Sequence, residues 1–240
     1  MPALDDDVRS VAVIAAMTPE IRPLVRRLSL ARVGPRPGRT WTGTASGRTV
    51  VAAITTMGPD PARETTRRVL ADHDVGWVIA IGVCGAIDAD LAIGDLIVPE
   101  RTYDESTDTW ATPTSLAEGG AAGTLLTTDK LYPPEALAEL RERGYVAVDM
   151  ETGAIGAVCE DAGVPWSVLR AVSDRVGDPL IDADLVGMGN SDGTADLGSV
   201  VRFVVRRPHR IPKLAELAKG LRAAVGTTTD ATLAAIGQPD

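Results

Sequence analysis

Residues 11–20 read VAVIAAMTPE, and this stretch decides the fold. A strand with one wet face alternates apolar and polar residues; a strand buried on both faces does not. The unbroken apolar run 11–16 therefore predicts a strand inside a sheet that is covered on both sides. Thr18-Pro19-Glu20 then predicts a helix start, with Thr18 as N-cap and Pro19 at the first helical position, where its missing N–H costs nothing. The helix is expected over 20–30.

The same strand-then-helix alternation continues along the chain. Strands are expected at 41–45 and 48–55, joined by a hairpin turn at Ser46-Gly47. A helix follows at 61–71, then a buried strand at 77–81 that ends in a glycine turn, Gly82-Val83-Cys84-Gly85. Further strands are expected at 96–99, 145–149 and 166–173, and helices at 134–143, 151–162, 197–205 and 211–224. This alternation predicts an α/β fold with a mostly parallel sheet, made mixed by the hairpin. Residues 104–123 are rich in Thr, Ser, Gly and Ala and are expected as a long loop, and 178–196 show no periodicity. With no shift in composition to split the chain, one domain over 1–225 is expected, followed by a flexible tail over 226–240.

Composition narrows the function classes. The 240 residues carry 24 Lys and Arg against 33 Asp and Glu, a net charge of −9. No basic excess exists to displace phosphate counterions, and 3% aromatic residues leave little to stack on bases, so no nucleic-acid partner is expected. An acidic surface also disfavours an anionic membrane, and no apolar run reaches the roughly 18 residues of a spanning helix. The acidic N-terminal decapeptide lacks the basic and apolar regions of a secretory signal, so a cytoplasmic location is expected. Two cysteines, Cys84 and Cys159, make no disulfide framework, and with two histidines, His73 and His209, far apart in sequence, no zinc site is expected. No G-x-G-x-x-G and no phosphate-binding P-loop pattern occurs; Gly187, Gly189 and Gly193 have the wrong spacing.

Three acids sit where strands are expected to end: Glu20, Glu151 and Asp174. Taken singly, each has an ordinary explanation, as a helix-dipole partner or a turn residue. Together they carry more, because ligands of open α/β sheets bind outside the carboxyl ends of the strands. Arg170 lies on the strand that leads to Asp174, and the glycine turn would reach the same edge and offer free N–H groups. The set suits a polar small-molecule pocket with acid and base groups. Cys84 and Cys159 read more simply as packing residues, and the basic run 206–210 as a solvated face.

These segments also carry a resemblance. Ala16-Met17-Thr18-Pro19-Glu20, Val148-Asp149-Met150-Glu151-Thr152-Gly153-Ala154 and Leu169-Arg170-Ala171-Val172-Ser173-Asp174, with Gly82–Gly94 between them, resemble the signature segments of the nucleoside phosphorylase superfamily. They are most similar to its 5′-methylthioadenosine/S-adenosylhomocysteine nucleosidase branch. The resemblance covers roughly 9–175 and implies a three-layer α/β/α fold that cleaves an N-ribosidic bond without metal or organic cofactor. It implies Glu20 as the base that activates water, Asp174 as the acid that protonates the departing purine, and Arg170 as the residue that orients carboxylate and water. Glu151 would hold the ribose hydroxyls and Met150 would pack on the sugar. Further substrate contacts are implied at Met17, Val83, Cys84, Gly85, Leu131, Tyr132, Asp149 and Ser173. Val83 stands where the family commonly has a serine, and Leu131 where it has a base-stacking aromatic.

The chemistry agrees with that outline. Breaking a C1′–N bond resembles glycoside hydrolysis, with an acid on the leaving group and a base on water. The two carboxyls then need different pKa values: Asp174 raised by burial under a bound purine, Glu20 kept ionised by Arg170 and the helix start. A carboxylate at the nucleophile position repels phosphate, which favours water as nucleophile. An aspartate at 174 is, by resemblance, the 6-aminopurine pattern. The alternatives are a phosphate-dependent phosphorylase of the same fold and a catalytically silent nucleoside-binding protein. The family likeness further implies a homodimer.

Overall fold

A computed structural model describes residues 4–5, 7–34, 39–117, 119–130, 132–175 and 211–237. The elements in chain order are β1 (Ser10–Ala15), α1 (Thr18–Arg27), β2 (Ala31–Val33), β3 (Thr40–Ala45), β4 (Arg48–Ile54), α2 (Pro59–Asp72) and β5 (Trp77–Ala86). There follow β6 (Leu96–Ile97), β7 (Arg101–Asp104), β8 (Thr109–Ala111), β9 (Thr124–Thr127), a 3₁₀ turn (Pro134–Ala136), α3 (Leu137–Glu142) and β10 (Tyr145–Asp149). The last are α4 (Thr152–Ala162), β11 (Trp166–Arg175) and α5 (Ile211–Ala235). Among the described residues the strands form one mixed sheet in the order β2-β3-β4-β1-β5-β10-β9-β7-β8, with β11 paired to β5 and to β6.

The apolar run that opened the analysis behaves as its lack of alternation requires. Ala12 and Ile14 of β1 pack with Ala62 and Val69 of α2 and with Ala154, Ile155 and Cys159 of α4. Val11, Val13 and Ala15 point the other way, onto Ile21 and Leu24 of α1 and Ala231, Leu233 and Ala235 of α5. Helices thus cover both faces of the sheet, and β1 contributes to both cores, giving the three layers.

β5 organises the centre. Its first half pairs in parallel with β1, ending at Ile14 opposite Ala80. Its last residues pair antiparallel with β10, beginning at Gly85 opposite Val148. On its other edge β11 runs parallel to it from Val78 to Ala86. The carboxyl ends of β1 and β10 therefore face each other along one edge of β5, leaving a gap at residues 82–84. This geometry corrects the expected glycine turn: Gly82-Val83-Cys84-Gly85 continues the strand, with one abrupt feature, Gly82 at φ 140°.

Other expectations also shift. Met17, not Thr18, is the N-cap of α1, so Thr18 and Pro19 lie inside the first turn. The loop expected at 104–123 contains β8, paired antiparallel with β7. The stretch 226–235, expected as a loose tail, is helical, and Ala231, Leu233, Ala235 and Ile236 are buried. Its polar composition misleads because the threonine hydroxyls bond back to the helix itself: Thr229 to the Val225 carbonyl at 2.7 Å and Thr232 to that of Thr228 at 2.6 Å. The helix expected at 197–205 and the stretch 178–196 lie outside the described residues. No helix among the described residues is long and apolar enough to cross a membrane.

The N-terminal segment is held by a buried cation. Arg48 donates from Nη1 to the carbonyls of Asp5 (2.8 Å) and Val8 (2.5 Å), and from Nη2 to that of Leu4 (2.9 Å). Arg48→Met keeps the bulk and removes these donors. We expect it to lower stability by about 2–3 kcal/mol, because partly buried carbonyls lose charged donors. A urea midpoint that does not move at constant m-value would contradict this.

Candidate active site

The gap on β5 is where the acids meet. Val83 turns its N–H and its carbonyl toward the space that β1 and β10 leave open. The N–H donates to Glu20 Oε1 at 2.9 Å, and the carbonyl accepts from Arg170 Nη1 at 3.1 Å. Glu20 stands in the first turn of α1, where its other oxygen accepts the Met17 N–H at 2.7 Å. One helix start and one interrupted strand edge thus hold both oxygens of a carboxylate that is only 1% exposed. The position expected to bear a serine contributes through its backbone, so the valine side chain is no obstacle to this part of the site.

Arg170 reaches the gap from β11, opposite Gly82 in register. It is 1% exposed and faces three carboxylates: Asp149 at 2.8 Å, Glu151 at 3.5 Å and Glu20 at 3.8 Å. Burial alone works against its charge, but the three acids outweigh burial and hold the guanidinium firmly protonated. Its Nε donates to the Thr152 hydroxyl at 3.0 Å. Glu151 is the N-cap of α4, and its Oε1 accepts the Gly58 N–H at 2.9 Å.

The electrostatics differ from expectation at Glu20. Burial raises its pKa, and Arg170 together with the N–H groups of Val83, Met17 and Ala16 offsets only part of that rise. Glu151 is also raised, again chiefly by burial, with the charges of Asp149 and Glu20 adding to the effect. Glu20 is therefore a stronger base than an ordinary glutamate. That favours proton abstraction from water.

Asp174 lies near the end of β11, opposite Gly85 and just past a bulge that begins at Val172. The Ser173 hydroxyl donates to its Oδ1 at 2.5 Å and so sets its orientation. Cys84 is buried beside the charges of Arg170, Asp149, Asp174 and Glu20, and burial pushes its thiol far up, so it is no nucleophile. Met17 and Met150 are half-buried at the rims of the two strand ends. Gly85 sits where β10 and β11 both pair with β5.

Tyr132 packs against Ile87, Leu126, Leu140 and Tyr145, and its hydroxyl donates to Glu105 Oε1 at 2.8 Å. Leu131 lies outside the described residues. Sequence reasoning missed Gly58, Thr127, Thr152 and, in its true role, Gly82. Gly58 lies 93 residues from the carboxylate it serves, a pairing that no local pattern signals.

The arrangement brings a buried carboxylate that can accept a proton, Glu20, to the same end of the sheet as a second carboxyl group, Asp174. Residues 10–123 and 120–206 match the family model described as "Phosphorylase superfamily". The chain belongs to the phosphorylase superfamily. Among its relatives is a 5′-methylthioadenosine/S-adenosylhomocysteine nucleosidase of Chromohalobacter salexigens, 25% identical over 202 residues, which span 71% of this chain and 86% of the relative. Solved structures share the phosphorylase superfamily fold. A nucleosidase of the same name from Colwellia psychrerythraea, in complex with adenine, superposes with a TM-score of 0.71 at 21% identity, over 98% of this chain and 97% of that one. A futalosine hydrolase of Helicobacter pylori superposes with a TM-score of 0.70 at 18% identity, over 97% of this chain and 99% of that one.

Proposed function

We propose that this phosphorylase superfamily chain hydrolyses the N-glycosidic bond of a 5′-modified 6-aminopurine nucleoside. The observation that carries the reading is the Glu20 carboxylate, buried, basic, and held by the Met17 and Val83 N–H groups beside Arg170. A group of that charge at the nucleophile position attracts water and repels phosphate. The nucleosidase names of the relatives support the same reading.

In the proposed reaction water attacks C1′ as the C1′–N bond breaks. Glu20 takes the proton from water, and Asp174 gives a proton to the purine as it leaves with the bonding electron pair. Glu151 accepts hydrogen bonds from the ribose hydroxyls, Met150 packs on the sugar, and Arg170 holds Glu20 and Glu151 in register. The working form is proposed as a cytoplasmic homodimer. A single monomeric species in sedimentation at micromolar concentration would remove the dimer from this reading.

The direct test is base release from methylthioadenosine, S-adenosylhomocysteine, adenosine and inosine, with and without phosphate. Adenine release that is indifferent to phosphate is the expected result. Strict dependence on phosphate with ribose 1-phosphate as product would make the chain a phosphorylase. Asp174→Asn, which removes the transferable proton at constant shape, is expected to lower kcat by about 10²-fold, as for a general acid.

A further inference from the structure

Asp149 was expected among the substrate contacts, yet its side chain is 1% exposed and already fully engaged. Oδ1 accepts the Thr127 hydroxyl at 2.6 Å; Oδ2 accepts the Thr152 hydroxyl and, at 3.0 Å, the Thr152 N–H. Oδ2 also makes the shortest of the ion pairs of Arg170, at 2.8 Å. Thr127 is fixed in turn by the Gly153 N–H, which donates to its hydroxyl at 2.7 Å. All three nitrogens of the guanidinium are therefore held, Nη2 by Asp149, Nε by the Thr152 hydroxyl and Nη1 by the Val83 carbonyl. The same group meets Glu20 and Glu151 only at 3.8 and 3.5 Å, distances that leave room to tighten.

We infer that Asp149, locked by Thr127 and Thr152, is a positioning residue that acts through Arg170 on Glu20 and Glu151 and does not touch the substrate. The inference rests on the hydrolase reading for its kinetic test. A guanidinium held at each nitrogen, with a charged partner at one of them, keeps a fixed geometry toward the acids it faces, and misplacement of such a group costs rate more than binding. The charge of Asp149 reaches Glu20 through Arg170, which the two acids face at 2.8 and 3.8 Å respectively. The charged and titratable groups around that guanidinium are Glu20 from α1, Cys84 from β5, Asp149 from β10 and Glu151 at the start of α4.

Asp149→Asn removes the charge at nearly constant shape. It is expected to lower kcat by about 10- to 100-fold with KM within about threefold of wild type, the pattern of an interaction made in the transition state. Loss of a nearby negative charge also moves the acidic limb of kcat/KM to lower pH. Thr127→Val frees Asp149 without changing any charge, so it should lower kcat by about 3- to 10-fold and leave the limb where it was. A rise in KM at unchanged kcat would instead make Asp149 a substrate contact and overturn the inference. So would a change in melting temperature with kcat and limb both unmoved. If the wild type releases base from none of the nucleosides, the hydrolase reading fails by itself. The inference is then read from the carbon-13 titration of the Glu20 carboxyl, assigned with Glu20→Gln: a lower midpoint in Asp149→Asn supports it, and an unmoved one overturns it.

Discussion

Glu20→Gln is expected to lower kcat by about 10³-fold, within the range typical of a lost general base. The amide keeps the size of the side chain but takes no proton from water. It also turns one donor toward a site built entirely for an acceptor, since both Glu20 oxygens take backbone N–H bonds, from Met17 and from Val83. One of those bonds is lost, and the amide is left facing an N–H. The substitution also bears on the pH profile. Burial raises the Glu20 pKa above the ordinary value of 4.5, so the carboxylate gains its proton, and the enzyme loses its base, at a higher pH than an exposed glutamate would require. The wild-type kcat/KM should therefore fall on the acid side at a higher pH than an ordinary glutamate would set, and that limb should vanish from the residual activity of Glu20→Gln. A variant that retains normal turnover, or the same limb, would show that another group activates the water.

Gly82→Ala is expected to be comparably damaging, for a steric reason. An added methyl would lie 2.5 Å from Glu20 Oε1 and 2.6 Å from Arg170 Nη1, both far inside contact distance. Neither group can step aside, because each is buried and tied to Val83. The backbone at φ 140° is in addition a conformation that side chains rarely adopt. We expect a loss of kcat of about 10³-fold, since Glu20 and Arg170 are both displaced. A stability loss of about 1–3 kcal/mol should accompany it, from strain at that φ. Denaturant unfolding and steady-state kinetics on the same preparation separate the two effects. A stable and fully active Gly82→Ala would contradict the close approach on which the site depends.

Much of this was legible along the chain. The unalternating run at 11–16 and the acids at strand ends pointed to a covered sheet and to a site at its carboxyl edge, because side-chain periodicity and local charge are written within a few residues. The tail failed for the complementary reason. A run such as Thr227-Thr228-Thr229 looks polar in sequence, but in a helix its hydroxyls are satisfied by its own carbonyls, so nothing local reveals that the stretch is buried.

The sequence by itself determined the α/β class, the strands and helices at the centre of the sheet and the placing of Glu20, Glu151 and Asp174 near strand ends. Tertiary structure alone decided that β1 and β10 end face to face beside Val83, 63 residues from Glu20. It also decided that Glu20 is desolvated enough to become a stronger base, and that Asp149 lies behind Arg170. Each of these depends on water being excluded by segments distant in the chain, and desolvation is a property of the packed neighbourhood that no residue carries alone.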